Sequence, residues 1–186
     1  MTPLPLPTAD LDTGRPLGAR FAAQGAWTFR DAARLVHALP YGRTQRSGPE
    51  AVLREGRGTC STKHALLAAL ADENGLDVTL HLGLYPMSEA TTPGVGRALR
   101  AHGLTSVPEA HVVLGVGDER IDLTWPGERR LVPPLAHEET IRPDQVGAYK
   151  RAWHRRHLDA WAEAEGRDPD AVWAAREAAV AALSRR

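Results

Sequence analysis

Cys60 stands in the run Gly58-Thr59-Cys60-Ser61-Thr62 and is the chain's one cysteine. A glycine-led turn that opens a helix at this point would set the sulfur beside unpaired amide hydrogens and the positive end of the helix dipole. Both favour a thiolate, so the thiol is expected to ionise below the free value of about 8.5. The same amides are suited to holding an oxyanion. His111 and Asp122 supply the other two groups that a thiol nucleophile needs, a base for its proton and a carboxylate that fixes the base's tautomer.

The residues around that pair argue that the two meet. Val112, Leu114 and Val116 alternate with His111, Val113 and Gly115, and Ile121, Leu123 and Trp125 alternate with Arg120, Asp122 and Thr124. A two-residue loop at Gly117-Asp118 pairs Val112 with Leu123 and Leu114 with Ile121, which keeps the apolar residues on one face. Asp122 then lies opposite Val113, diagonal to His111 and on its face. Diagonal neighbours are about 7–8 Å apart at Cα, a span that an imidazole–carboxylate hydrogen bond can bridge. A three-residue loop would part them and also mix apolar with polar positions. The plainer alternative makes Cys60 a small buried hydrophobe and His111–Asp122 a solvated cross-strand pair.

Several elements must position these residues. Residues 1–18, with four prolines, read as an extended N-terminal arm. Thr28 can cap a helix through Leu39, whose stripe is Phe29, Ala32, Leu35, Val36 and Leu39. Glu50–Glu55 reads as a short helix. Cys60–Asn74 is the strongest helix, with Leu66, Leu67, Leu70 and Ala71 at helical spacing and Gly75 as a left-handed cap. Asp77–Tyr85 alternates as a half-buried strand. Residues 86–109 form a Pro/Gly-rich excursion with a short helix at Gly96–His102. Ala110–Val116 and Arg120–Trp125 make the hairpin. Pro143–Glu165 and Pro169–Leu183 are two alanine- and tryptophan-rich helices, the second begun by Asp168-Pro169. The order predicts an α+β fold: an N-terminal arm (1–18), a core (19–137) in which the Cys60 helix packs on an antiparallel sheet, and a C-terminal helical extension (138–186) packed on it.

Gly58-Thr59-Cys60 at a helix start, Ala110-His111 in a strand and Ile121-Asp122-Leu123 in the next strand together resemble the transglutaminase-like superfamily, over about residues 25–126. The resemblance implies a papain-like core with Cys60 as nucleophile, His111 as base and then acid, and Asp122 as the group that orients it. It implies a cysteine hydrolase or acyltransferase of bacterial type, working through a thioester on a peptide, protein or small amide substrate, with no cofactor or metal. Ser61 stands where animal-type members carry Trp, and no calcium-site sequence is evident, which disfavours calcium-dependent crosslinking. The superfamily also contains inactive relatives, so a catalytically inactive binding module on the same fold is an alternative.

A second alternative takes Cys60, His64, His111 and Asp122 as zinc ligands, since Cys-x3-His on one helix face with a hairpin histidine suits that ion. Otherwise His64 is a packing or surface residue, and Lys63 and Arg57 are solvated charges. Glu109 reads as a strand end. In Lys150–His157 the stripe of Tyr149, Trp153 and Trp161 makes the charges a solvated helix face rather than a nucleic-acid contact. Composition agrees: 23 basic residues balance 23 acidic ones, so no overall field draws the chain to nucleic acid or an anionic membrane. No apolar run reaches the roughly 18 residues of a membrane helix, and the proline-broken start is not expected to be a signal peptide. A single cysteine forms no internal disulfide, so a reducing, cytoplasmic setting is expected.

Overall fold

The computed structural model describes residues 5–127 and 131–184. The chain is α+β: among the described residues, seven helices accompany a four-stranded antiparallel sheet. The elements run α1 (Pro16–Ala22), α2 (Phe29–Ala38), α3 (Ala51–Glu55), α4 (Cys60–Glu73), β1 (Thr79–Ser88), α5 (Gly96–Ala101), β2 (Ser106–Val116), β3 (Glu119–Ile121), β4 (Ala136–Ile141), α6 (Ala148–Ala164) and α7 (Pro169–Leu183). The strand order is β3-β2-β1-β4. No helix among the described residues is long and apolar enough to cross a membrane. Two compact units divide the chain, Met1–His81 with Val112–Val132 and Thr140–Asp144, and Leu82–His111 with Pro133–Glu139 and Gln145–Arg186.

The first unit is organised by α4, which packs against α1, α2 and α3. Its leucines were expected to form a stripe, but burial extends around the helix and takes in Ser61, Lys63 and His64 as well as Leu66, Leu67 and Leu70. A helix enclosed on all sides is a core element, and its polar members must then find partners inside the protein. Thr28 caps α2 by accepting from the Asp31 amide, as its position predicts. Gly75 takes φ +63 just after α4. α1 arises in the stretch read as an arm. Pro16 opens it, and its cap comes from far away: the Glu73 carboxylate accepts from the Leu17 and Gly18 amides at 3.0 and 2.8 Å.

The hairpin has the expected register, with Leu114 opposite Ile121, Gly115 opposite Arg120 and Val116 opposite Glu119. Two features differ. Leu80–Tyr85 in β1 and Val107 with Glu109–Gly115 in β2 are buried without alternation, so neither strand is half-buried. These strands occupy the middle of the sheet order, where both faces need cover. β3 is also shorter than predicted. Beyond the bridge at Asp122 the chain leaves the ladder, because side chains claim its backbone groups.

The second unit is organised by α7, which packs on α5 and α6 and begins with the Asp168 cap and Pro169 at its first turn. Of the predicted stripe on α6, Trp153 is buried whereas Tyr149 is exposed and donates its hydroxyl to Glu139 at 2.6 Å. Glu109 is no strand end: it lies inside β2, buried, and accepts two hydrogen bonds from the Arg176 guanidinium, at 2.6 Å from Nε and 2.5 Å from Nη2. Arg176 also lies over the Trp173 ring, and His154 reaches the Pro108 carbonyl at 3.0 Å.

Burial alone would raise the Glu109 pKa, but the charge and hydrogen bonds of Arg176 outweigh it and hold the carboxyl at about 2, below its ordinary 4.5. Burial pushes His154 down despite the opposing pull of Glu109. Both folded-state values are depressed, so both contributions are complete above the unfolded pKa and shrink on acidification, His154 first below about 6.5 and Glu109 between about 4.5 and 2. Thermal melts should therefore show stability falling steadily from pH 7 to pH 3. Arg176→Met, which strands a buried carboxylate, should cost about 3–5 kcal/mol at pH 7. The double variant Glu109→Leu/Arg176→Met should recover much of that loss. A double variant as unstable as the single one would refute the pairing.

Candidate active site

Cys60 is the first residue of α4 and is buried at 9% exposure. The turn before it is built by a reciprocal cap: the Thr59 hydroxyl accepts from the Thr62 amide, and the Thr62 hydroxyl accepts from the Thr59 amide at 2.9 Å. Gly58 is required by close packing. A β-carbon there would stand 2.8 Å from Lys63 Cγ and 3.3 Å from Val52 Cγ2. The Ser61 hydroxyl lies 3.7 Å from the Cys60 sulfur.

Lys63, expected to be a solvated charge, is wholly buried. Its ammonium donates to the Leu39 carbonyl at 2.5 Å, at the end of α2, and to the Thr124 carbonyl at 2.8 Å. Burial lowers its pKa from 10.5 to about 8, while the charges of Asp122 and then Cys60 pull the other way. Lys63 is the residue beside Cys60 whose surroundings sequence reasoning misjudged. The one available signal was its i+3 spacing from Cys60 on a helix whose every face is covered.

His64, on the next position, closes the same clamp. The Leu123 amide donates to His64 Nε2 at 2.8 Å, which makes that nitrogen an acceptor. Nδ1 therefore carries the proton and donates to the Val112 carbonyl at 2.7 Å. Nε2 also lies 3.8 Å from Asp122 Oδ1. With both nitrogens engaged, His64 is a packing residue, neither a base nor a metal ligand. Among the described residues no group of three or more His, Cys, Asp and Glu side chains is arranged to hold a metal.

Asp122 is buried, and its Oδ1 accepts from the Thr124 amide at 2.8 Å and from the Thr124 hydroxyl. His37 Nε2 contacts the Trp125 carbonyl at 2.6 Å, and Tyr41 stacks on the Trp125 ring at 4.6 Å. Residues 122–125 are thus pinned by three basic side chains and an aromatic ring. His111 belongs to the other unit, in β2, where it is buried and meets the Tyr85 ring edge-on at 5.3 Å. The Tyr85 hydroxyl is fixed by the buried Thr92 hydroxyl at 2.8 Å. His111 and Asp122 are each buried, which removes the solvated-pair alternative. No family model, no curated protein and no solved structure matches the chain.

Replacing His64 with Leu keeps the volume but strands a buried amide and a buried carbonyl. At about 1–3 kcal/mol for each unsatisfied group, urea denaturation should show a loss of at least about 2 kcal/mol. Lys63→Met strands two carbonyls yet removes the cost of a buried charge, so its loss should be smaller than that of His64→Leu. The reverse order would mean that the ammonium contributes more than its desolvation costs.

Proposed function

We propose that this chain is a cysteine-nucleophile acyl-transfer enzyme with a transglutaminase-like, papain-like core. Cys60 is the nucleophile, His111 the base and then the acid, and Asp122 the group that orients His111. The observation that carries the reading is the surroundings of Cys60: the first turn of a capped helix, with a buried ammonium at Lys63 whose charge is felt by both Cys60 and Asp122. A helix N-terminus and a neighbouring cation are what make a thiol acidic and nucleophilic. A structural cysteine needs neither.

In this mechanism His111 takes the thiol proton and the thiolate attacks the carbonyl carbon of a peptide, protein or small amide, forming the C–S bond. The C–N bond then breaks, and the proton on His111 passes to the departing amine. Water, deprotonated by His111, attacks the thioester; the C–S bond breaks, a carboxylic acid leaves and the thiol is restored. Hydrolysis is the default because no amine-acceptor site is assigned. The chemistry calls for no cofactor, and a free thiol nucleophile suits a reducing cytoplasm.

Electrophilic acyl probes should label Cys60, with the adduct located by mass spectrometry, and Cys60→Ala should abolish labelling. Asp122→Asn keeps the oxygen that accepts from Thr124, so the variant should fold; its labelling should drop, by less than the roughly 10⁴-fold seen in serine triads, because a thiolate leans less on its base. Iodoacetamide alkylation should reach half of its plateau below about pH 8.5 and shift to higher pH in Lys63→Met. Alkylation that rises only above pH 8 in the wild type, with unchanged labelling in Asp122→Asn, would refute the assignment.

A further inference from the structure

Within the second unit a cleft of about 530 Å³ opens among β1, β2, β4 and α6, walled by Leu84, Tyr85, Pro108, His137, His157 and Trp161. Its size and its ring-rich walls are those of a small-ligand site. The backbone of one wall is held out of its ordinary range. His137, inside β4, has φ +52, and among the described residues it is the one non-glycine residue with positive φ. L-residues avoid that conformation unless the surroundings impose it, and such positions gather at ligand sites. Here the conformation brings the His137 ring against His157, stacked at 4.6 Å and 30°, with Trp153 4.3 Å beyond. The exposed β4 backbone gains nothing from this that a glycine would not supply better. Burial, then the His137 ring and Arg156, hold the His157 pKa below its usual value against the pull of Glu139. That face of the cleft is a pair of stacked ring planes, suited to a flat apolar group.

The cleft also has a chemical neighbour. Tyr85 forms part of its wall and meets His111 edge-on, with its hydroxyl anchored on Thr92. An occupant of the cleft is thus one ring away from the imidazole. In an acyl-transfer reaction the imidazole delivers its proton to the departing nitrogen, so the substituent on that nitrogen is the part of the substrate nearest the base. We propose that this cleft binds a flat, apolar, ring-bearing substituent on the amine side of the amide substrate, of benzylamine or phenylalanine size. The assignment to the amine side rests on the acyl-transfer reading of His111; the preference for a flat ring does not.

The test separates the two. Calorimetry on full-length Cys60→Ala should show N-acetylglycine benzylamide binding at least about tenfold tighter than N-acetylglycine methylamide. Ala160 is exposed on α6 and lines the cleft, so Ala160→Trp should fold and should erase that preference by filling the space. Wild-type release of benzylamine should exceed release of methylamine mainly through KM. Equal binding of the two amides, or a preference that survives Ala160→Trp, overturns the cleft while leaving acyl transfer standing. An Ala160-sensitive preference in a protein whose Cys60 no acyl probe labels overturns the leaving-group role and, separately, the acyl-transfer reading.

Discussion

The buried dipeptide Lys63-His64 is the constraint on which the first unit depends. Two adjacent side chains of α4 reach opposite ways into the backbone, Lys63 to the Leu39 and Thr124 carbonyls and His64 to the Val112 carbonyl and the Leu123 amide. Together they tie the end of α2, the middle of β2 and the segment after β3 to one turn of one helix. Placing an ammonium in the interior costs several kcal/mol, and two carbonyl acceptors with a nearby carboxylate offset that cost without a large surplus. What the ammonium contributes is a fixed arrangement: an apolar residue at position 63 would leave the Leu39 and Thr124 carbonyls without this donor. Because Cys60 lies one turn before Lys63 and Asp122 two residues before Thr124, the clamp fixes two of the three proposed catalytic groups.

The second unit repeats the device with different chemistry. Arg176 grips Glu109 with a two-pronged guanidinium and lies over the Trp173 ring, which His154 meets at a tilt. A planar fork suits a carboxylate in a way that lysine's point charge does not, and lysine suits a pair of carbonyls. Glu109 is two residues from His111 on β2, so α7 steadies the strand that carries the proposed base. The two units thus hold their site residues by the same logic: a buried cation takes the acceptors that strand and loop would otherwise leave unsatisfied.

What could be read from the sequence was whatever depends on neighbours along the chain. The Thr28 cap, the Asp168-Pro169 start of α7, the opening of α4 at Cys60 and the hairpin register are local patterns, and each formed as expected. What escaped depends on remote partners. The α1 cap is Glu73, 56 residues from Leu17; the Lys63 acceptor on Thr124 is 61 residues away; the Glu109–Arg176 pair spans 67. No periodicity carries such information, so Lys63 looked like a solvated charge, Glu109 like a strand end and the start of α1, Pro16–Gly18, like part of an arm. β4 escaped for another reason. Ala-His-Glu-Glu-Thr-Ile has little β-propensity, and as an edge strand with exposed residues it needs none of the apolar alternation that marks a strand.

The charge inventory of the proposed site explains why a buried lysine belongs there. When the thiol has given its proton to His111, the mechanism holds two anions, the Cys60 thiolate and the Asp122 carboxylate, and one imidazolium. Left at that, a water-poor site would carry a net negative charge, and the thiolate would be the form it resists. The Lys63 ammonium makes the count neutral, two anions against two cations. Its pKa of about 8 keeps it mostly protonated at neutral pH, yet close enough to titration that the balance is lost in mild alkali. A neutral residue at position 63 would oblige the carboxylate and the thiolate to compete for the single imidazolium, and the weaker base of the two, the carboxylate, would stay ionised while the sulfur kept its proton.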